Sequence, residues 1–324
     1  MANQQEPGPD GMSQMSERTA TAEPAPEKAA EADPLTPPTD WSVTERGRRA
    51  KRVRSRVSLV VRLVLAVGVC LVLLFPLYWM VVVALSTRAE LLGGDLRLWP
   101  RTLTLNNFER VLDSFPVATW FGNSVAISLV SAAITVTFSL LAGYAFAHLR
   151  FRGSTVLFLL ALSTLMIPVQ VIMVSLFRLV TDLGLYGTYW AVILPSAASA
   201  FGVFLARQFM LAIPRDLIEA ARIDGAGHVR VFAQIVLPLS KPLIAVLFFM
   251  NLLQTWNDFA WPLIALKENA LFTLPIGLLY LQGQFGSDYG ATMAFALINV
   301  VPMVLLFLVF QRYFVQGFAR SGIR

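Results

Sequence analysis

Five neighbouring side chains at the end of an apolar stretch carry the most direct chemistry in this sequence: Asn251, Gln254, Trp256, Asn257 and Asp258. On a continuous helix Asn251, Gln254 and Asp258 fall at i, i+3 and i+7 and line one side. Amides and a carboxylate beside an aromatic ring are groups that hydrogen-bond to and stack on polyhydroxylated solutes. If the helix starts at Pro242, Asp258 lies roughly 24 Å along it, at ~1.5 Å per residue. A carboxylate at such depth in a bilayer costs about 2.5–3.5 kcal/mol on insertion scales, so Asp258 should face a wet cavity or a polar partner. The other reading is that these groups pair with a neighbouring span and hold the helices together. The residues alone leave both open. Gln170 and Asn299 are weaker candidates of the same kind. Ser124, Ser128, Ser131 and Thr135 recur at i, i+4, i+7 and i+11, and such small hydroxyl residues predict close helix packing.

A second group is polar and lies outside any apolar stretch. Between residues 213 and 240 the chain carries Glu219-Ala220-Ala221, then Asp224-Gly225, and later Ile235, Leu237 and Pro238. Pro214 fits a first helical turn, where its missing N–H is not needed. Nothing from 215 to 224 breaks a helix, and Ala220 and Ala221 leave one side small. Gly225 and Gly227 can take the positive φ that ends a helix and turns the chain. A second short helix is expected over 228–236, stopped by Pro238. A helix–turn–helix with a small-residue face suits insertion into a partner's groove. It equally suits an amphipathic connector lying on a membrane surface. Glu219 has Arg215 at i−4 and Arg222 at i+3, so it could also simply pair within its own helix.

The elements that position both groups follow from composition. Of 324 residues 56 % are hydrophobic and 14 % charged, and the mean hydropathy is +0.64. That is too little charge to cover a soluble domain. Uncharged runs long enough to cross a ~30 Å hydrocarbon core are expected over 63–87, 123–147, 154–177, 183–206, 242–266 and 290–310. Pro168 interrupts the third and Pro195 the fourth. The predicted fold class is all-α integral membrane, with six transmembrane helices and a cytoplasmic helix–turn–helix loop.

Charge then sets orientation. Residues 1–45 are acidic and rich in Pro and Ala, and are expected to be a disordered tail. Residues 46–58 are a basic juxtamembrane segment, suited to anionic lipid and to orientation in the membrane. Arg150, Arg152, then Arg207, Arg215, Arg222, Arg230 and Lys241, and Arg312, Arg320 and Arg324 fall on the same side as that block. By the positive-inside rule both termini and the loop are cytoplasmic, in a multi-pass protein of the plasma (inner) membrane. This distribution also explains the net charge of +6 without nucleic acid as a partner.

Catalysis has no support. There is no G-x-x-x-x-G-K-[ST] phosphate loop. His148 and His228 are far apart in sequence, Cys70 is the single cysteine, and no nucleophile–base pair stands out. The chain reads as a transporter subunit with no cofactor of its own.

The spacing of Glu219-Ala220-Ala221, Gly225, Ile235 and Leu237-Pro238 resembles the cytoplasmic signature of permease subunits of ABC importers, at every defining position. Asn123-Ser124-Val125, the segment 141–147, Met166-Ile167-Pro168, the segment 205–209, Trp256-Asn257-Asp258-Phe259 and Gln311-Arg312-Tyr313-Phe314 resemble the carbohydrate branch of that family, similar to the second membrane subunit of maltose and glycerol-phosphate systems. The likeness covers residues 59–324 as one permease domain. The acidic tail departs from the pattern, and the chain ends at Arg324 without the Gly/Lys-rich terminus the resemblance leads one to expect.

The resemblance implies a binding-protein-dependent importer for a sugar or sugar-like solute. Its partners would be a homologous permease subunit, two ATPase subunits carrying ATP and magnesium, and an extracytoplasmic solute-binding protein. Glu219, Ala220, Ala221, Asp224, Gly225, Ile235, Leu237 and Pro238 would couple the ATPase to the spans. The outer segment 267–289 would reach toward the binding protein. The competing class is a secondary transporter working alone on an ion gradient, for which Asp258 would be the key residue.

Overall fold

The structure is a computed structural model that describes residues 41–93, 98–286 and 288–321; side chains are described from Ser58 to Arg312. The expected disordered tail lies outside the described residues up to 40. Its last five positions are helical, because the first helix begins at Trp41. Residues 322–324 also lie outside.

All regular structure among the described residues is helical. In chain order the helices are α1 (Trp41–Ala84), α2 (Arg88–Leu92), α3 (Asn106–Ser114), α4 (Val117–His148), α5 (Ser154–Ser163), α6 (Val169–Asp182), α7 (Trp190–Ser196) and α8 (Ala200–Leu211). There follow α9 (Arg215–Ile223), α10 (His228–Val231), α11 (Leu237–Leu239), α12 (Lys241–Asn257), α13 (Ala260–Ala265), α14 (Leu274–Phe285) and α15 (Tyr289–Ser321). The chain divides into two compact units, residues 1–68 and 69–324. The described part of the first is the N-terminal portion of α1, which contains the basic segment 46–58.

Among the described residues three helices are long and apolar enough to cross a membrane: Ser58–Ala84 within α1, α4, and Tyr289–Arg312 within α15. The expected runs 154–177 and 183–206 fall on bent pairs, whereas 242–266 is divided between α12 and α13, and α12 forms its bent pair with the helical stretch before it. The α5–α6 pair turns by 105°, α7–α8 by 40°, and the pair His228–Leu239 and Lys241–Asn257 by 76°. Each break has a local cause. Pro168 forces the residues before it out of helical geometry and becomes the N-cap of α6, with φ −60° and ψ 135°. Ser199 caps α8 by accepting a hydrogen bond from the Gly202 amide at 3.0 Å. Pro195, by contrast, lies inside α7.

The organising element of the second unit is α4. It is the most enclosed of the three long helices, packed against α8, α12, α7 and α14. The hydroxyl stripe predicted for packing lies here, and all four residues are buried. Ser128 and Thr135 donate to carbonyls one turn back, Thr135 also to Ser196 O at 2.8 Å, and the Ser124 hydroxyl accepts from Leu274 N at 2.8 Å. Such bonds satisfy hydroxyls without water, which suits a helix enclosed on most sides. On α8, Gly202 faces Ser139 of α4. A Cβ at 202 would lie 2.3 Å from the Ser139 hydroxyl, so the helices approach there only because the side chain is absent.

Two apolar cores lie along α4. One gathers Trp120, Ile127, Leu252, Trp256, Trp261, Leu274 and Phe295. The other gathers Tyr144, Met210, Ile213, Ile218, Val231, Val236 and Leu243, and so anchors the 213–240 loop.

Candidate functional site

The 213–240 loop starts where Pro214 caps α9, and Ile218 of that helix is 5 % exposed in the second core. Gly225 ends the turn with φ +81°, a conformation that glycine alone adopts without cost. Gly227, also expected to turn the chain, instead has φ −70° and is the N-cap of α10. Val231 is fully buried, and the Tyr144 hydroxyl donates to His228 O at 3.2 Å. The two short helices are therefore held by a side chain each, while the turn between them projects.

Past Val231 the structure departs from expectation. A wide π turn over Phe232–Val236 carries the chain on, and Pro238 sits within α11 instead of stopping a helix. The change of register in a π turn removes the need for one N–H, so a proline is accommodated beside it. The break comes at Ser240, whose hydroxyl donates to Val236 O at 2.7 Å.

Glu219, Ala220, Asp224, Gly225 and Pro238 are exposed, and Ala221, Ile235 and Leu237 are half-buried. Glu219 forms no ion pair with Arg215 or Arg222, so its carboxylate is not used within its own helix. Arg222 instead approaches His228, Nη2 to Nδ1 3.3 Å. Two residues flanking the turn escape any reading of helical periodicity: Ile223 is 86 % exposed and Val229 82 %. A pair of bare aliphatic side chains on either side of Gly225 is the kind of knob a partner's cleft buries. The signal in the sequence was their charge-rich surroundings, which offer no apolar neighbours to pack on.

The amide stripe is divided by the end of a helix. α12 stops at Asn257, and Asp258 is its C-cap with ψ 124°, so the i, i+3, i+7 relation ends before Asp258. Its carboxylate is turned to the start of α13, Oδ1 3.5 Å from Trp261 N. Trp256 is 3 % exposed, donates from Nε1 to Asn299 O at 3.2 Å, and stands edge-on to Phe121. Asn251, Gln254 and Asn257 do share a cavity of about 540 Å³ between α12, α4 and the start of α8. Thr135, Ser139 and Ser199 add hydroxyls to its wall, and Phe201 an aromatic ring. Those four come from spans that the periodicity of α12 could not connect to it.

At the other end of α4 the segment 267–274 is pinned to the helix by side chains. Trp120 Nε1 donates to Asn269 O at 2.9 Å, and Asn123 Nδ2 to Ala270 O and Phe272 O at 2.8 and 2.9 Å. Tyr189 donates to Asn123 Oδ1 at 2.8 Å, fixing that amide's orientation. Beside it Arg110 of α3 bridges to Asp288, Nη1 to Oδ2 2.7 Å, and to Asn107 Oδ1 at 2.6 Å. Asn107 in turn donates to Ala84 O and Ser86 O, both at 2.8 Å. This chain of bonds links the end of α1 to the start of α15.

Burial by itself would raise the Asp288 carboxyl, but the Arg110 hydrogen bond, the Ala291 amide and the charges of Arg110 and Arg88 outweigh it and hold it below its ordinary value. A carboxyl lowered in the folded state contributes stability above its unfolded value, and loses it as pH falls through the folded one. Asp288→Asn should therefore lower the melting temperature near neutral pH, at a cost of about 1–2 kcal/mol. Wild type and variant should converge once pH drops well below about 3.9. Parallel melting curves across that range would show that the pair carries no charge-dependent stability.

Among the described residues no group of three or more His, Cys, Asp or Glu could hold a metal. What the geometry offers is a polar cavity among spans, a projecting turn with bare aliphatic flanks, and a braced segment at the opposite end of α4.

Residues 135–320 match the family described as binding-protein-dependent transport system inner membrane component. The chain is 38 % identical to the arabinooligosaccharides transport system permease protein AraQ of Halalkalibacterium halodurans, over 84 % of this chain and all of that one. It is 34 % identical to the lactose transport system permease protein LacG of Rhizobium radiobacter, over 76 % of this chain and 90 % of that one. With the sn-glycerol-3-phosphate transport system permease protein UgpE of Brucella suis it shares 32 % identity, over 82 % and 96 %. Its fold is that of a chain in the crystal structure of a bacterial ABC transporter involved in import of the acidic polysaccharide alginate, with a TM-score of 0.71, 23 % identity, and coverage of 81 % of this chain and 98 % of that one.

Proposed function

This chain belongs to the family of binding-protein-dependent transport inner-membrane components, and from that premise we propose how it works within an ABC importer for a sugar or sugar-like solute. It is a permease subunit, not an enzyme. It crosses the membrane six times, through the three long helices, the bent pairs α5–α6 and α7–α8, and α12 with α13, with both termini and the 213–240 loop in the cytoplasm. The basic residues at the loop ends support that orientation. It pairs with a homologous permease subunit to enclose the path, and receives solute from an extracytoplasmic binding protein at the braced outer segment.

Two ATPase subunits, which hold the ATP and magnesium, drive the cycle, and the loop is where one of them docks. The observation that carries this reading is the projecting turn at Gly225. Glu219 and Asp224 are exposed and without ion pairs among the described residues, and Ile223 and Val229 stand out almost bare on either side of it. A carboxylate with no internal partner and two aliphatic knobs are what a basic-rimmed apolar cleft would bind. Behind the turn, Ile218 and Val231 lock α9 and α10 to the core that contains α4 and α12. A push on the turn is thereby delivered to the helices that line the cavity, a two-state element biased through one contact. Asn251, Gln254 and Asn257 form the solute-facing wall, while Trp256 and Asp258 hold the end of α12 in place.

Vesicles containing this chain, its companion membrane subunit and the ATPases should accumulate solute only with ATP inside and binding protein outside. This chain alone, under an imposed proton or sodium gradient, should accumulate none. Gradient-driven uptake by the chain alone would overturn the reading in favour of a secondary transporter.

A further inference from the structure

We infer that a cavity where α4 ends is a binding site for the phosphate of an anionic phospholipid of the inner leaflet, held by Arg150, Arg215 and Arg222. Which leaflet supplies the lipid rests on the permease reading; the site itself rests on the meeting of α4 and α9.

The cavity measures about 420 Å³ and lies between the end of α4 and the 213–240 loop. His148 is the last residue of α4, and Arg150 belongs to the turn after it. Arg215 and Arg222 come from α9 with Glu219 between them, and His228 opens α10. Residues 215, 218, 219 and 222 stand at i, i+3, i+4 and i+7, so one face of α9 is turned to the cavity. Ile218 on that face is held in the second core, which fixes the aim of the two arginines beside it. Three guanidinium groups meet a single carboxylate here, and no ion pair joins Glu219 to any of them. All three arginines are exposed, and Arg222 is steadied by His228, Nη2 to Nδ1 3.3 Å.

Guanidinium forks match phosphate oxygens two at a time, and a phosphate set among them offsets the repulsion of three like charges around one cavity. Depth selects the phosphate. α4 leaves the hydrocarbon at His148, the end of an apolar span, so the cavity lies at the level of the headgroups. The cytoplasmic leaflet carries the anionic lipids, and basic pockets between spans on that face take their headgroups. Phe151, next to Arg150, and Leu211, four residues before Arg215, are exposed and offer apolar surface to acyl chains at the same edge. Ile223 and Val229, the side chains proposed to enter the ATPase, do not line the cavity, so lipid and ATPase can be bound together. A phosphate shared by Arg150 and the arginines of α9 ties the loop to the end of α4. The competing occupant is an acidic segment of a partner protein.

The delipidated full transporter is titrated with phosphatidylglycerol or phosphatidylcholine of the same acyl chains, and bound lipids are counted by native mass spectrometry. Arg150→Gln/Arg215→Gln should lose one phosphatidylglycerol per copy of this chain, its affinity at that site falling at least about tenfold, with phosphatidylcholine binding unchanged. Arg48→Gln/Arg49→Gln/Arg52→Gln, in the basic segment before the first span, should keep that lipid. Equal binding by wild type and the double variant overturns the inference, as does loss of the lipid in the triple variant only. Displacement of the lipid by millimolar inorganic phosphate assigns the site to a free anion and overturns it too. So does loss of the ATPases from the double variant with no change in lipid count, which makes the arginines a protein contact. In vesicles, wild-type uptake should be several-fold faster with phosphatidylglycerol than with phosphatidylcholine alone, and the double variant should lose that gain while the triple variant keeps it. Equal uptake in both membranes overturns the tie between loop and α4. Sidedness is read separately. Cys70 is the single cysteine, so Ile223→Cys in a Cys70→Ser background should react with a membrane-impermeant maleimide only in inside-out vesicles. Reaction in right-side-out vesicles would refute the orientation in the permease reading, while the arginine-dependent lipid count still decides the site.

Discussion

Gly225→Val is expected to reduce ATP-driven uptake by about ten- to a hundredfold, the range of a lost coupling energy, while the subunit still reaches the membrane and assembles. The cause is conformation, not space. A Cβ at 225 would meet nothing within 4 Å, but the residue sits at φ +81°. Holding an L-residue there costs about 1–2 kcal/mol, and more when it is β-branched. The turn relaxes instead, and α9 and α10 are each retained by their own buried side chain, Ile218 and Val231. What changes is the relation of Glu219, Ile223 and Asp224 to Val229 across the turn, which is the surface proposed to enter the ATPase. Asparagine tolerates the left-handed region, so Gly225→Asn should retain most activity and Gly225→Ala should fall between. Uptake and solute-stimulated ATP hydrolysis by the reconstituted complex provide the measurement. Bulk-dependent loss, with asparagine as poor as valine, would replace the conformational explanation with a steric one at the docked interface.

Gly277→Ala should act on stability, not coupling, and strongly. Its Cβ would lie 2.2 and 2.5 Å from two ring carbons of Trp120 and 3.0 Å from Phe295. Neither ring can yield easily. Trp120 is fully buried, bonded through Nε1 to Asn269 O, and packed against Phe115 and Phe295. Overpacking of this kind costs about 1–3 kcal/mol for a single methyl, and Gly277→Leu should prevent folding. Because Trp120 is also the pin for the 267–274 segment, the first turns of α4 loosen with it. Trp120→Phe removes the offending atoms at its own cost, so the Trp120→Phe/Gly277→Ala pair should be less destabilised than the sum of the single changes. Melting temperature of the purified complex and its yield from membranes measure both; strict additivity would mean the two residues do not share the contact.

Much of the 213–240 loop was legible in the sequence because its determinants are local. Proline starts α9, Gly225 turns the chain, and apolar residues at helical spacing hide one side; each acts over one or two turns of backbone. The apolar runs were legible for the same reason, since crossing a bilayer depends on length and composition. The family resemblance rested on the residues and spacing of that loop together with the segments at 123–125, 141–147, 166–168, 205–209, 256–259 and 311–314.

The interior of the runs was not legible. Whether Pro168 kinks a span or breaks it by 105° depends on what surrounds the freed backbone groups, and those neighbours come from elsewhere in the chain. The amide stripe shows the limit most clearly. Helical periodicity placed Asp258 beside Asn251 and Gln254, but the helix ends one residue earlier, and the carboxylate turns to the backbone of α13. Trp256 lies in the core because Asn299 and Phe121 are there to receive it. Sequence by itself determined the apolar runs, their expected sidedness and the motif that turns at Gly225. Only the tertiary structure decided which polar groups face a common cavity, because that property belongs to the meeting of α4, α8 and α12 and to no helix alone.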